Sequence, residues 1–307
     1  MQVDFPATPL GPVQLRRQSC RKELAMADDL LTEAILESTR DLDQRSVGEI
    51  LDAIHAEDHR AVEAVGKVLP DVERAVEVLV LTLKGGGCWF NVGAGTSGRI
   101  GVLDAAEIPP TYGYPPERVV GIMAGGFGAL VRAVEGAEDV AEDARATLRE
   151  RELMPGDAVV ALSASGHTPF AIGALTEAES VGARRIAITC DPRSPLAEAA
   201  EIAIAPVVGP EVIAGSTRMK GGLAQKMVLH LLSTAVMVRL GRVEGNLMTN
   251  LHPTSRKLER RAVQIVMSLG QVDRARAKQL LQTCHGSAHD AIELARGART
   301  VREPASR

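Results

Sequence analysis

The stretch Asn91-Val92-Gly93-Ala94-Gly95-Thr96-Ser97-Gly98-Arg99-Ile100-Gly101 follows directly on the apolar run Cys88-Trp89-Phe90. A buried strand that ends in a glycine-rich turn and opens a helix is the start of a βαβ unit, so this segment decides the fold class. Gly93, Gly95 and Gly98 fit G-x-G-x-x-G, the turn that receives a dinucleotide pyrophosphate. That reading needs a carboxylate about 20 residues further on, at the end of the second strand, to hold the ribose hydroxyls. The next apolar run, Val119 to Ala124, ends in Gly125-Gly126 and offers no acid. Thr96 and Ser97 instead add two hydroxyls to a helix N-terminus, where free backbone N–H groups attract an anion. A terminal phosphate monoester suits that cradle better than a dinucleotide.

Outward from this turn, short Val- and Ile-rich runs alternate with helical spacing. Cys88 to Val92, Val119 to Ala124, Ala158 to Ser163, Arg185 to Thr189 and Ile202 to Pro206 read as buried strands, each closed by a turn-forming residue. Ala129 to Arg149, Pro169 to Val181 and Gly222 to Leu240 read as the helices between or after them. This order predicts an α/β fold, a parallel sheet flanked by helices in three layers, with ligands beyond the carboxyl ends of the strands. Val47 to Leu83 reads as two helices parted near Val68-Leu69-Pro70, and Ser255 to Arg299 as a small C-terminal helical unit. The expected division is an unstructured extension over 1–26, an ordered phosphate-binding α/β domain over 27–245 starting near Met26, and a helical domain over 246–307.

A second strand-end turn repeats the chemistry of the first. Ser163-Ala164-Ser165-Gly166-His167-Thr168-Pro169 again sets a glycine among three hydroxyls, and Pro169 suits a first helical turn. Ser and Thr at such positions usually only cap the helix. Two such turns at successive strand ends, joined by Gly215-Ser216-Thr217-Arg218-Met219-Lys220 with its two cations, favour phosphate binding instead. The expected phosphate ligands are Gly95, Thr96, Ser97, Ser163, Ser165, Gly166, Thr168, Ser216 and Lys220.

Composition narrows the partners. The 307 residues are 45% hydrophobic and 24% charged, the balance of an ordinary globular protein. With 2% aromatics and a net charge of -4, the chain lacks both the stacking platform and the basic excess of a nucleic-acid binder. Cys20, Cys88, Cys190 and Cys284 are too scattered for a disulfide framework or a zinc site. Without a secretory h-region or a run of about 18 apolar residues, the expectation is a cytoplasmic protein with no membrane partner.

Six segments in order, V-G-A-G-T-S-G-R, L-D-A-A-E-I-P-P-T-Y-G, A-V-E-G-A-E-D, S-A-S-G-H-T-P-F, G-S-T-R-M-K-G-G-L-A-Q-K and G-N-L-M, resemble the signatures of the N-acetylmuramic acid 6-phosphate etherases. The resemblance runs from about Leu31 to about Val266 and implies a sugar isomerase (SIS) domain. It further implies cleavage of the D-lactyl ether of N-acetylmuramic acid 6-phosphate by elimination and hydration, without a metal or redox cofactor, in cell-wall recycling. Such chemistry needs a base at C2 and an acid at the departing lactate oxygen on C3, roles that two carboxyl groups can divide. By match to the family motifs these are Glu107 as acid and Glu138 as base. On residues alone, Glu138 with Glu135, Asp139 and Glu142 also reads as a solvated acidic helix face.

The chain departs from the family pattern at two places. His167 stands where the family usually has an arginine, and Thr32-Glu33 lacks the R-N-P that commonly follows. His55, His59, His230, His252, His285 and His289 show no metal-ligand spacing. Two other readings use the same fold: a regulator resembling glucokinase regulatory protein, which carries two SIS units where this chain has length for one, and an aldose-ketose isomerase, which has no need of D-A-A-E-I-P-P. The resemblance also implies a homodimer with shared active sites, and the apolar run Met227 to Val238, with Leu229, Leu231, Leu232, Val236 and Met237, exceeds what one helix face buries.

Overall fold

The strands form because β-branched runs lie between turn residues, and every one of them pairs parallel. In the computed structural model, which describes residues 31–251 and 256–297, β1 (Trp89–Gly93), β2 (Val119–Met123), β3 (Ala158–Leu162), β4 (Arg184–Ile188) and β5 (Ile202–Ile204) make one sheet. Its order is β2-β1-β3-β4-β5, with Gly93 opposite both Met123 and Leu162. The connections therefore leave β1 and β3 in opposite directions, which opens a crevice at their carboxyl ends. The expected extension over 1–26, the start near Met26, Cys20 and His252 lie outside the described residues.

Alternate side chains of each strand feed two cores. Trp89, Val160, Ile186 and Ile188 pack against α1 (Val47–Lys67), α2 (Leu69–Lys84), α3 (Gly95–Tyr112) and α7 (Lys220–Arg239). Phe90, Val92, Val159 and Ala161 face α4 (Ala141–Glu150), α5 (Pro169–Val181) and the short α6 (Pro195–Glu198). Helix α1 starts at a capping box, in which Ser46 N–H donates to Glu49 Oε2 at 2.8 Å, and it yields to α2 just before Pro70. A third core, built on Val266, Leu280 and Ile292, belongs to α8 (Arg256–Gly270), α9 (Arg274–Thr283) and α10 (Ala288–Ala295).

Two expectations are corrected. Ala129 to Arg149 is not one helix: 3-10 turns at Phe127–Leu130 and Ala137–Asp139, the second entered at the left-handed Gly136 with φ of 72°, precede α4. The surplus of apolar surface on α7 is also absorbed within the chain. By length and composition α7 could span a membrane, yet Val228, Leu229, Leu232, Val236 and Met237 are fully buried against α1, α2 and α3. Leu231 is half-buried, and Val238 alone of the run's leucines and valines is exposed.

Candidate active site

The crevice between β1 and β3 holds a cavity of about 390 Å³. Gly95, Thr96 and Ser97 enter it from the first turn of α3, and Ser163, Ser165 and Thr168 from the β3–α5 turn. The α3 turn lies against the sheet because Gly98 has no side chain: a Cβ there would sit 2.5 Å from the Gly93 carbonyl oxygen. Neither helix spends its hydroxyls on capping. The N-cap of α3 is Ala94, and Thr168 at the N-cap of α5 makes no capping bond. The first-turn N–H groups of α3 are thus available to an anion.

The hydroxyls of the second turn are ordered among themselves. Ser163 Oγ lies 2.8 Å from Thr168 Oγ1, accepts the Gly166 N–H at 3.0 Å, and is buried, while Ser165 Oγ accepts the His167 N–H at 3.2 Å. Their positions are set before a ligand arrives. Glu138 and Asp139 reach the cavity from the Ala137–Asp139 turn. That turn follows Phe127–Leu130, which Arg99 ties to α3 by donating to the carbonyls of Ala129 at 2.8 Å and Leu130 at 3.0 Å.

Four polar side chains of the wall were left out of the site by sequence reasoning: Glu33, Asp139, Thr217 and His167. Thr32 O accepts the Gly215 N–H at 3.1 Å, and Thr39 Oγ1 donates to Val212 O at 3.0 Å, so the segment before α1 is stitched onto the loop before α7. Glu33 is carried to the cavity by that docking. The only available signal was the Thr-Glu pair itself.

Three expected phosphate ligands lie elsewhere. Gly166 turns the backbone at φ 72° against Thr189 and Ser194 and does not line the cavity. Ser216 is also outside, its place taken by Gly215 and Thr217. Lys220 is displaced most: its ammonium is buried on the Glu57 carboxylate of α1, and its N–H and that of Gly221 donate to Glu211 at 3.0 and 2.9 Å. This carboxylate caps α7 from a distance. Burial pushes the Glu211 carboxyl above its ordinary range, against the pull of those two N–H groups and Lys220.

Glu107 stands in a second cavity of about 220 Å³ between α3 and α7, beside Asp104, Lys226, His230 and Ser233. Asp104 accepts a hydrogen bond from Ser233 Oγ at 2.9 Å, and its Oδ2 is buried without a partner. Burial pushes its carboxyl up to about 6, opposed by Ser233 and Lys226 and reinforced by Glu107. His230 is pushed below the usual imidazole range by burial and by Lys226. Glu107 and Glu138 therefore line different cavities of one chain. From Gly95 to Glu107 the helix climbs roughly 18 Å at about 1.5 Å per residue.

The Glucokinase regulatory protein N-terminal SIS domain family matches residues 71–179, and the SIS domain family matches residues 130–235. An N-acetylmuramic acid 6-phosphate etherase of Symbiobacterium thermophilum is 49% identical over 263 residues, 86% of this chain and 87% of that one. N-acetylmuramic acid 6-phosphate etherase 1 of Enterococcus faecalis is 45% identical over 269 residues, 88% of this chain and 90% of its own. The chain belongs to the N-acetylmuramic acid 6-phosphate etherase family. A phosphoheptose isomerase from Francisella tularensis is 18% identical, with a TM-score of 0.48 over 63% of this chain and 99% of that one. In this chain the D-A-A-E-I-P-P segment occupies the end of α3, and A-V-E-G-A-E-D forms the turn that presents Glu138.

Proposed function

We propose that this chain cleaves the D-lactyl ether of N-acetylmuramic acid 6-phosphate as a carbon-oxygen lyase, giving N-acetylglucosamine 6-phosphate and D-lactate in cytoplasmic cell-wall recycling. The observation that carries it is Glu138 in one cavity with two hydroxyl-rich strand ends and an uncapped helix N-terminus, in a chain of the etherase family. The hydroxyls and N–H groups of Thr96, Ser97, Ser163, Ser165 and Thr168 hold the 6-phosphate. In the ring-opened aldehyde, Glu138 removes the C2 proton and the C3–O bond breaks as Glu107 protonates the departing lactate oxygen. Water then adds across C2 and C3, its hydroxyl to C3 and its proton to C2. Release of D-lactate from the purified protein tests this reading, with Glu138→Gln lowering kcat about 10²- to 10⁴-fold. Sugar-phosphate binding without lactate release would favour a regulator, and aldose-ketose interconversion an isomerase.

The separation of Glu107 from the cavity gives the homodimer its role: the second copy carries its own Glu107 to the ether. Mixing subunits decides this. In a shared site, random pairing of Glu107→Gln and Glu138→Gln chains leaves half the dimers mixed, each with one intact site, and returns about a quarter of wild-type activity. No activity returns if both glutamates serve from one chain.

A further inference from the structure

The wall of the hydroxyl cavity bears three carboxylates: Glu33 from the N-terminal segment, and Glu138 and Asp139 from the Ala137–Asp139 turn. The surfaces given by α3, by the β3–α5 turn other than His167, and by Gly215 and Thr217 are uncharged. Lys220, which could have balanced a phosphate, is buried on Glu57. Among the described residues lining this cavity, His167 is the one side chain able to carry positive charge.

Its ring is not free to choose a tautomer. Nδ1 lies 2.9 Å from the carbonyl oxygen of Ser165, which only accepts, so Nδ1 carries a hydrogen. In the neutral ring Nε2, on the opposite edge, is then a bare acceptor that repels an anionic oxygen. It becomes a donor only when a second proton makes the imidazolium. The Ser163–Thr168 turn, through the Ser165 carbonyl and the His167 N–H on Ser165 Oγ, holds the ring in this setting.

We infer that His167 is the proton-linked anion contact of this site: its Nε2 grips the 6-phosphate as an imidazolium, so that binding draws a proton in wherever the free ring is neutral. This rests on the sugar-phosphate reading above and adds to it a dependence that a permanently charged side chain at position 167 would not give. Affinity for the anion then falls as pH rises through the imidazole range. An imidazole that must be protonated in the complex weakens binding by up to about tenfold for each pH unit above the pKa of the free group.

Calorimetric titration of N-acetylglucosamine 6-sulfate, whose charge is constant over this range, reads the linkage without the ligand's own ionisation. N-acetylglucosamine 6-phosphate serves as the second probe. For the wild type, Kd for the sulfate rises about tenfold from pH 6 to 8, with proton uptake seen as a dependence of the heat on the buffer's ionisation enthalpy. His167→Arg binds with a Kd that is flat over the same range and close to the wild type's value at pH 6. His167→Gln is flat and weaker at every pH. A flat wild-type profile, the same slope retained in His167→Gln, or no binding of either probe at any pH overturns the inference. Lactate release is measured separately, so a protein that binds both probes with the expected pH slope but releases no lactate refutes the etherase reading and leaves this one standing.

Discussion

Removing Lys220 should damage the fold before it damages binding. Its side chain is 1% exposed and its carboxylate partner Glu57, on α1, 6% exposed, so each single substitution leaves a charge in the interior. Breaking a buried pair from one side is destabilising by roughly 3–5 kcal/mol, whereas replacing both partners by apolar groups of similar volume is close to neutral. The two single variants are not equivalent. After Lys220→Met, Glu57 keeps the exposed guanidinium of Arg60 at 3.1 Å, which places this variant near the lower figure. After Glu57→Leu, Lys220 is left to Glu211, a carboxylate already bound to two backbone N–H groups, which places it near the upper one.

At about 2–4 °C per kcal/mol for a chain of this size, melting temperatures drop on the order of 10 °C for the singles. The double variant Lys220→Met with Glu57→Leu recovers most of that loss, so the cycle returns a coupling energy close in magnitude to the sum of the two single losses. The assay is reversible denaturant unfolding of all four proteins, beside calorimetric affinity for N-acetylglucosamine 6-phosphate. Folded Lys220→Met should bind the sugar phosphate within about threefold of wild type, a difference below 1 kcal/mol. A Lys220→Met protein with unchanged stability and affinity lowered more than about thirtyfold would refute the reasoning and restore Lys220 as a phosphate ligand.

Gly98→Ala forces a methyl group onto the Gly93 backbone, with 2.5 Å to its oxygen and 2.8 Å to its carbonyl carbon. It should lose about 1–3 kcal/mol in denaturant unfolding and weaken sugar-phosphate binding by lifting α3 off β1. Asp104 titrates near 6 in the fold against 3.8 for the free side chain. The native state therefore holds the extra proton, and this group's contribution to stability is lost as pH rises from about 4 to about 6, by roughly 3 kcal/mol at most. Asp104→Asn should remove that part of the slope in unfolding measured at pH 4.5 and 7.5, and an unchanged slope would assign it to another group.

The sheet and the cradle were legible because both are written locally. Each strand is a short Val- and Ile-rich run, and a glycine–hydroxyl turn after β1 or β3 announces its chemistry within a few residues. What stayed hidden is set by partners far along the chain. Lys220 reads as a free cation until Glu57, 163 residues earlier, is placed against it, and Glu33 reaches the cavity only because Thr32 meets Gly215. Periodicity likewise joined residues 129–149 into one helix because it registers apolar spacing and not the left-handed Gly136 that turns Glu138 toward the cavity.

The spacing of the two family glutamates misled in a further way. The short interval from Gly95 to Glu107 reads as proximity between the phosphate loop and the ether. The same residues wound into α3 become a rod of roughly 18 Å, longer than a single hexose, which no side chain rotation shortens. A rod of that length supports the proposal that Glu107 acts on a sugar held at another subunit's loops. The identification of the two glutamates and their assignment to one chain are thus separate inferences, and the helix that supports the first argues against the second.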